Sequence, residues 1–509
     1  MIAAAPRSLP LRELLAQSGV ASEAALVAPA TLVTGIRDDS RSVRPGDVYV
    51  AMRGARQDGR AFIAQALERG AVAVLAEADD SVAVDSTVAS VPVIAVKNLR
   101  ARVGVIASVF YGEPSRALDV LAVTGTNGKT TTSWLLASAL ARLGVRAAVL
   151  GTLGVGDTAA RVPLANTTPG AVELQSLLAG LRDNAFTAVA MEASSIGIEQ
   201  QRMAGTHLRV AIFTNLSRDH LDYHGTMAAY ADAKAALFSW PGLAGAVLNG
   251  DDPCALQWLA EGRVQAARVL TYGSAGRGHD IELLDIRSAT HGMSVQMRIE
   301  GRDVSVPVRL VGRFNAGNLM AVAGALRLLG HGLDAIVRAL GEIEAPAGRM
   351  QTVGGGELPL CVVDYAHSPD ALENVLSVLR ERSSGQLWCV FGCGGNRDAG
   401  KRPLMGEIAA RLADRVVVTS DNPRHEDPQA VIDDVLAGVP QPARARVQVE
   451  VDRAGAIRLA VAQARAGDTV LVAGKGHEDY QEVAGVRQPF SDVQQVREAL
   501  ALRAGGGGA

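Results

Sequence analysis

The chain has 509 residues, with 50 basic and 53 acidic side chains for a formal net charge of -3, and is 48% hydrophobic and 20% charged. That length and composition imply roughly three globular domains with buried cores, and exclude a wholly disordered or collagen-like chain. The near-neutral balance removes the basic footprint of a nucleic-acid binder, and an aromatic content of 4% argues against a base-stacking platform. Cys254, Cys361, Cys389 and Cys393 form no Cys-x-x-Cys array and no disulfide framework, as suits reduced thiols in a cytoplasmic protein. The N-terminal stretch lacks a basic segment followed by an apolar one, so no export signal is expected. No apolar run approaches the ~20 residues that span a bilayer, so membrane insertion is not expected either.

Up to residue 114 the chain reads as a small α/β unit, with short strands at 47–52 and 71–76 and a helical stretch at 61–69 between them. From residue 118 the pattern changes to apolar runs with almost no alternation, each followed by a helix: 118–124, 147–151, 187–191, 210–214 and 246–249. Such runs signal a parallel sheet covered on both faces, hence a doubly wound unit. Residues 304–311 read as a late β addition and 318–329 as a closing amphipathic helix. After residue 346 the alternation of strand and helix restarts, with strands at 360–363, 387–391, 415–419 and 469–473, as in a Rossmann-like unit. The glycine-rich tail, 504–509, is expected to be disordered. The fold class is therefore α/β in three units, 1–114, 115–346 and 347–509, with no internal repeat.

The strongest local signal is Gly125-Thr126-Asn127-Gly128-Lys129-Thr130-Thr131, between an apolar strand and a helix predicted over 134–143. Glycines let backbone N–H groups turn toward a phosphate at a helix N-terminus; the lysine adds a point charge and the threonine hydroxyl can ligate Mg²⁺. The spacing departs from the common P-loop, because Val123 stands where the first glycine is usual. A nucleoside triphosphate, and so a P-loop in the central unit, is expected. Two later strands end in polar groups at the edge where open α/β sheets bind ligands: Glu192 after 187–191, and a run from Asn215 to His224 after 210–214. His220 reads equally as structural or as a metal or phosphate ligand. Lys234, in the helical run 227–238, reads on its own as a solvated helix lysine.

Together these segments closely resemble the Mur ligase family, the ATP-dependent amide-forming enzymes of peptidoglycan assembly. The resemblance rests on the glycine-rich loop, Met191-Glu192-Ala193-Ser194-Ser195, NLSRDHLDYH from Asn215 and NGDD from Asn249. It continues through FNAGN from Phe314, Gly348-Arg349-Met350, DYAHSPD from Asp364, GCGGNRD from Gly392, DNPR from Asp421 and GKGHE from Gly474. It spans nearly the whole chain. It implies an N-terminal UDP-sugar module, a central ATPase and a C-terminal unit carrying the incoming amino acid. In the branch it most resembles, meso-diaminopimelate is joined through an acyl phosphate to the D-glutamyl γ-carboxylate of UDP-MurNAc-L-Ala-D-Glu. A lysine-adding member, folylpolyglutamate synthetase and a nucleotide switch without ligase activity are the alternatives. Folylpolyglutamate synthetase should lack the UDP-sugar module and the DNPR segment, and a switch would give Glu192, His220 and Lys234 no shared purpose.

The resemblance implies roles residue by residue. Gly125, Thr126, Asn127, Gly128, Lys129, Thr130 and Thr131 hold the ATP phosphates, and Asn318, Arg349 and His367 contact the nucleotide. Two Mg²⁺ ions are expected, one on Thr130 and Glu192, the other on His220 and on Lys234 as its carbamate, an anionic oxygen ligand suited to a hard cation. Lys129, Glu192, His220 and Lys234 form the catalytic set. Ser40 and the loop Ala55, Arg56, Gln57 correspond to uridine contacts, though the local sequence departs from the Leu-Asp-Ser and His-Gln-Ala often found there. Asn166, Thr167, Thr168, Ser194, Gln200 and Arg202 match residues facing the muramoyl dipeptide; Ile196 stands where a histidine is often found. Arg397, Asp421, Asn422, Pro423, Arg424, Gly474 and Glu478 match the diaminopimelate site, with Arg424 reading the distal carboxylate and Glu478 the distal ammonium. A cytoplasmic monomer acting on small molecules is expected.

Overall fold

A computed structural model describes residues 4–20, 31–54, 57–78, 86–88, 91–289, 292–310 and 312–506. Three sheets organise them. The first has five strands in the order Gly35–Arg37, Asp47–Ala51, Ala73–Glu77, Val91–Val96, Ser86–Val88, parallel except for the last pair. Helix Leu99–Phe110 turns Val103, Ile106, Ala107 and Phe110 onto it, and the same core takes in Ala171, Val172 and Ala179 of helix Ala171–Asp183. The N-terminal unit therefore shares a core with its neighbour. The helix read at 61–69 is a 3₁₀ turn, Gly59–Phe62, followed by one and a half turns of α-helix, Ile63–Glu68.

The second sheet has eleven strands among the described residues. Its centre runs Ala147–Gly151, Ala188–Glu192, Asp119–Thr124, Val210–Phe213, Gly245–Asn249, all parallel and buried nearly throughout, as the unalternating runs predict. The sheet is nevertheless mixed. Parallel strands Arg268–Ser274 and Ile281–Ala289 extend it, and Gly292–Ile299 and Arg302–Val308 continue as an antiparallel meander. A small antiparallel hairpin, Gly154–Gly156 with Arg161–Val162, closes the other edge. The late β addition is thus the last strand of a meander, whose earlier members alternate apolar and polar side chains because one face is solvated. Helix Arg313–Leu328 begins five residues earlier than the periodicity suggested and lies across strands Gly245–Asn249 and Arg268–Ser274.

The third sheet runs Gln351–Gly354, Leu360–Asp364, Thr469–Ala473, Leu387–Phe391, Arg415–Val418, Val447–Val449, parallel but for the first. Strand Thr469–Ala473 is inserted between the first two parallel strands of the unit, which brings the loops after residues 364, 418 and 473 to one edge. The tail is not disordered as far as Gly506: helix Asp492–Gly506 runs through residues 504–506, and 507–509 lie outside the described residues. Val496, Ala499 and Leu500 are buried in the C-terminal core, and Arg503 Nη1 donates to the Val461 carbonyl at 2.6 Å. Packing overrides the glycines.

Candidate active site

Strand Asp119–Thr124 delivers the glycine-rich loop, and helix Lys129–Arg142 starts within it, five residues ahead of the predicted start. Gly125 has φ +145°, and a Cβ there would lie 1.9 Å from Thr214 Oγ1, so the loop can close only with glycine. Lys129 Nζ folds back to donate to the carbonyls of Gly125 and Thr126, both at 2.8 Å. Burial lowers its amine below the ordinary lysine range, against the opposing pull of Glu192 and Asp219. At the next position, Thr130 Oγ1 donates to Glu192 Oε2 at 2.9 Å. Thr152 N donates to Glu192 Oε1 at 2.8 Å, and a Cβ on Gly151 would lie 2.3 Å from that oxygen. The carboxylate is thus held at the end of its strand, 2% exposed, facing the loop.

Lys234 is not a solvated lysine. It is 1% exposed, donates to the Gly125 carbonyl at 2.7 Å and lies 4.4 Å from the Tyr230 ring centroid. Burial, then the charge of Lys129, drives its amine well below the ordinary range, which favours the neutral form. His220, in the left-handed region at φ +54°, has its imidazole pushed down to about 4, first by burial and further by the two lysines, although Asp219 opposes them. It is therefore neutral, with a lone pair free for a ligand. Asp219 is the hub of this corner, 3.7 Å from His220 Nε2, 3.7 Å from His367 Nε2 and 3.6 Å from Lys401 Nζ. Although burial favours its acid form, the neighbouring His367 and the charge of Lys401 hold the carboxyl well below the usual range.

These groups line a cleft of about 380 Å³, within the range of small-molecule sites. Asn166, Thr167, Thr168, Ser194 and Arg202 line it as well, as do Asn318, Arg349, His367 and Arg397. Thr168 Oγ1 donates to the Glu192 carbonyl at 2.9 Å, lies 3.0 Å from Ser194 Oγ, and its carbonyl accepts from Arg202 at 2.9 Å. Gln200 Oε1 accepts from Arg202 at 2.8 Å behind the cavity wall. Asn318 fixes the loop from the other side, accepting from Thr132 Oγ1 at 3.1 Å. C-terminal residues close the cleft: Arg349 Nη2 donates to Thr130 Oγ1 at 3.1 Å, and Asn127 Nδ2 to Asp370 Oδ2 at 2.7 Å. At the N-terminal end Ser40 donates to Gln65 Oε1 at 2.7 Å, and the Asp38 carboxylate abuts Gly170, just beyond the threonine pair. Ser40 and Gln57 stand outside the cavity wall; Ala55 and Arg56 lie outside the described residues.

The C-terminal set gathers at the ligand edge of its sheet. Asn422 Nδ2 donates to Glu478 Oε2 at 2.9 Å, and Arg424, at φ +54°, donates to the Gly395 carbonyl at 2.7 Å. Asp421 packs on Gly474, where a Cβ would meet its carboxylate at 2.4 Å, and Pro423 packs against Gly395. Arg397 connects this edge to the cleft: it lines the cavity, and its Cγ would lie 3.8 Å from a Cβ on Gly394, next to Arg424.

Residues 32–111, 123–326 and 348–476 match, in turn, the profiles of the Mur ligase family catalytic domain, the Mur ligase middle domain and the Mur ligase glutamate ligase domain. A UDP-N-acetylmuramoyl-L-alanyl-D-glutamate–2,6-diaminopimelate ligase of Ectopseudomonas mendocina is 48% identical over 495 residues, covering 97% of this chain and 98% of that one. The chain belongs to the Mur ligase family. A ligase of the same name from Pseudomonas aeruginosa is 49% identical over 470 residues, 92% of this chain and 95% of its own. A solved structure, also of a UDP-N-acetylmuramoyl-L-alanyl-D-glutamate–2,6-diaminopimelate ligase, superposes with a TM-score of 0.66 at 39% identity, covering 94% of this chain and 96% of that one.

The donor set suits the magnesium that Mur ligases use. Among the described residues no group of three or more His, Cys, Asp or Glu gathers into a metal cluster. Mg²⁺ takes one or two carboxylates and leaves positions to substrate phosphates and water. Thr130 and Glu192 supply two adjacent hard oxygens. Sequence reasoning gave no role to Asp219, Asp370, Lys401, Tyr365 or Lys475. Each lies inside or beside a quoted motif, but at least one of its partners is distant in sequence: Asp370 meets Asn127 across 243 residues, and such pairing has no local signature.

Proposed function

We propose that the chain is an ATP-dependent ligase that joins meso-2,6-diaminopimelate to the D-glutamyl γ-carboxylate of UDP-MurNAc-L-Ala-D-Glu, in cytoplasmic peptidoglycan precursor synthesis. The observation that carries this is one cleft in which the phosphate loop, the Glu192 carboxylate and the threonine pair Thr167 and Thr168 face Arg349, His367 and Arg397 of the C-terminal unit. ATP and an activated carboxylate meet there beside the unit that holds the amine. Residues 1–114 serve as the UDP-sugar module, 115–346 as the ATPase and 347–509 as the amino-acid unit, in a chain that acts as a monomer.

A carboxylate is a poor electrophile. Phosphorylation by ATP makes its oxygen a leaving group, and the incoming amine then expels phosphate through a tetrahedral intermediate. The loop N–H groups and Lys129 bind the phosphates, with Lys129 exchanging carbonyl partners for phosphate oxygens. Asn318, Arg349 and His367 contact the nucleotide. Asn166, Thr167, Thr168, Ser194, Gln200 and Arg202 orient the dipeptide, and Ser40 with residues 55–57 the uridine. Arg397, Asp421, Asn422, Pro423, Arg424, Gly474 and Glu478 hold diaminopimelate. Thr130 and Glu192 would hold one Mg²⁺, and His220 with Lys234 a second, once the neutral Lys234 amine has added to CO₂ and lost a proton to become a carbamate. Bound magnesium supplies charge neutralisation during phosphoryl transfer.

Isotope transfer tests the reading. With ¹⁸O in the γ-carboxylate of the dipeptide, one labelled oxygen should leave in the phosphate, and phosphate should form only when the amino acid is present. Unlabelled phosphate, or turnover of ATP indifferent to the dipeptide, would overturn it.

A further inference from the structure

Lys475 is 0% exposed, a rare condition for a lysine. Its Nζ donates to Asn422 Oδ1 at 3.0 Å and to Glu478 Oε2 at 2.9 Å, while Asn422 Nδ2 donates to that same Glu478 oxygen at 2.9 Å. The three side chains form a closed triangle across the two loops that carry Asp421-Asn422-Pro423-Arg424 and Gly474 to Glu478. Tyr365 donates its hydroxyl to the other Glu478 oxygen at 3.3 Å. Behind the triangle, Arg453 is matched by Asp492 in an ion pair with both side chains 0% exposed, which cancels its charge locally. The residues read as holding the amino acid, taken with Lys475, then comprise three cations, Arg397, Arg424 and Lys475, and two anions, Asp421 and Glu478.

We propose that Lys475 is a specificity-determining residue: by neutralising Glu478 it leaves the amino-acid subsite with surplus positive charge, which disfavours L-lysine relative to meso-diaminopimelate. The inference rests on the reading that Glu478 and Arg424 face the distal end of the incoming amino acid. That end is zwitterionic in diaminopimelate, with a carboxylate for Arg424, and purely cationic in lysine. Were Glu478 uncompensated, its carboxylate would attract a lysine ammonium without help from Arg424. With Lys475 already bonded to it, a lysine side chain gains little from Glu478 and is repelled by the remaining cations. Selection against the competitor is thus built from a repulsive element as well as from the attractive arginine.

The experiment measures kcat/KM for both amino acids on the full chain, wild type and two variants. Lys475→Met removes the cation; Asn422→Asp keeps Lys475 but makes the same triangle one unit more negative. Each should lower the diaminopimelate-to-lysine ratio at least about tenfold, a modest share of what one partly buried charge a few ångströms away can exert. The KM for ATP should stay near its wild-type value. If Lys475 only holds the loops together, Lys475→Met would depress both amino acids equally and Asn422→Asp would leave the ratio alone, and either result overturns the proposal. Should Lys475→Met fail to fold, the Asn422→Asp ratio decides alone. A wild type that does not discriminate between the two amino acids would instead overturn the underlying reading of Arg424, a distinguishable outcome.

Discussion

The central cleft and the C-terminal subsite both bury cations, and they treat them in opposite ways. In the cleft, Lys129 and Lys234 donate to backbone carbonyls and share the Gly125 oxygen. Burial pushes both amines down. In the C-terminal unit Lys475 is bonded to Glu478, Arg453 to Asp492, and Arg402 to Glu426 and Asp434. The difference follows from the ligands. On the proposed reading triphosphate arrives with several negative charges, so Lys129 is kept uncommitted to a carboxylate, and Lys234 is kept as an amine that can take up CO₂. On the same reading an amino acid arrives with balanced charges, and the most deeply buried cations of its unit are each paired with a carboxylate, while Arg424 is left on a backbone carbonyl.

Breaking the uncommitted side should have the largest effect. Lys234→Ala should reduce turnover by at least about 10²–10³-fold, because charge in a desolvated site would go uncompensated. Glu192→Ala should fall in the same range. Circular dichroism of the Lys234 variant should remain that of a folded protein, and short carboxylic acids should restore part of its rate. An alanine variant with full activity would remove Lys234 from the machinery.

The paired side should fail by instability first. Arg453→Met leaves Asp492 buried and alone, which should cost about 3–5 kcal/mol in thermal or denaturant unfolding. Replacing both partners with apolar residues should recover most of that loss, since the desolvation penalty disappears with the charges. A single variant as stable as wild type would contradict the 0% exposure of the pair.

Much of this contrast was legible in the sequence, and the illegible part has a physical cause. The unalternating apolar runs located the central parallel strands of the second sheet, because a strand buried on both faces has no polar face to display, and missed the more exposed Arg268–Ser274. The glycine-rich loop and Glu192 were equally readable, since strand, turn and helix set them within a few residues. Lys234 shows the limit. Its helix, Met227–Ala235, has little amphipathic pattern, and only the tertiary position of Gly125, 109 residues earlier, makes that lysine buried. The antiparallel meander was read as one strand where there are three. The disorder expected of residues 504–509 is overridden as far as Gly506, where the helix continues from the buried Val496, Ala499 and Leu500. The triangle of Asn422, Lys475 and Glu478 was invisible for a like reason, as its two loops follow strands that are far apart in the chain but two places apart in the sheet.

Smaller perturbations sharpen the comparison. Arg424→Ala should raise the KM for diaminopimelate about a hundredfold and hardly change that for ATP, because one carboxylate of the amino acid would lose its bidentate donor. At the bottom of the scale, Arg218 and Asp398 join the two units at 3.2 Å, but Arg218 is 45% exposed. Arg218→Ala should therefore change stability by no more than about 1 kcal/mol. A larger loss would mean that this pair, and not the corner around the buried Asp219, holds the units together.

The most direct measurement is mass spectrometry of the nucleotide product formed from UDP-MurNAc-L-Ala-D-Glu, ATP and an equimolar mixture of meso-diaminopimelate and L-lysine. A product mass larger than the dipeptide substrate by one diaminopimelate residue, with the lysine adduct scarce, is the predicted result. Equal amounts of both adducts, or ADP formed with no adduct at all, would contradict it.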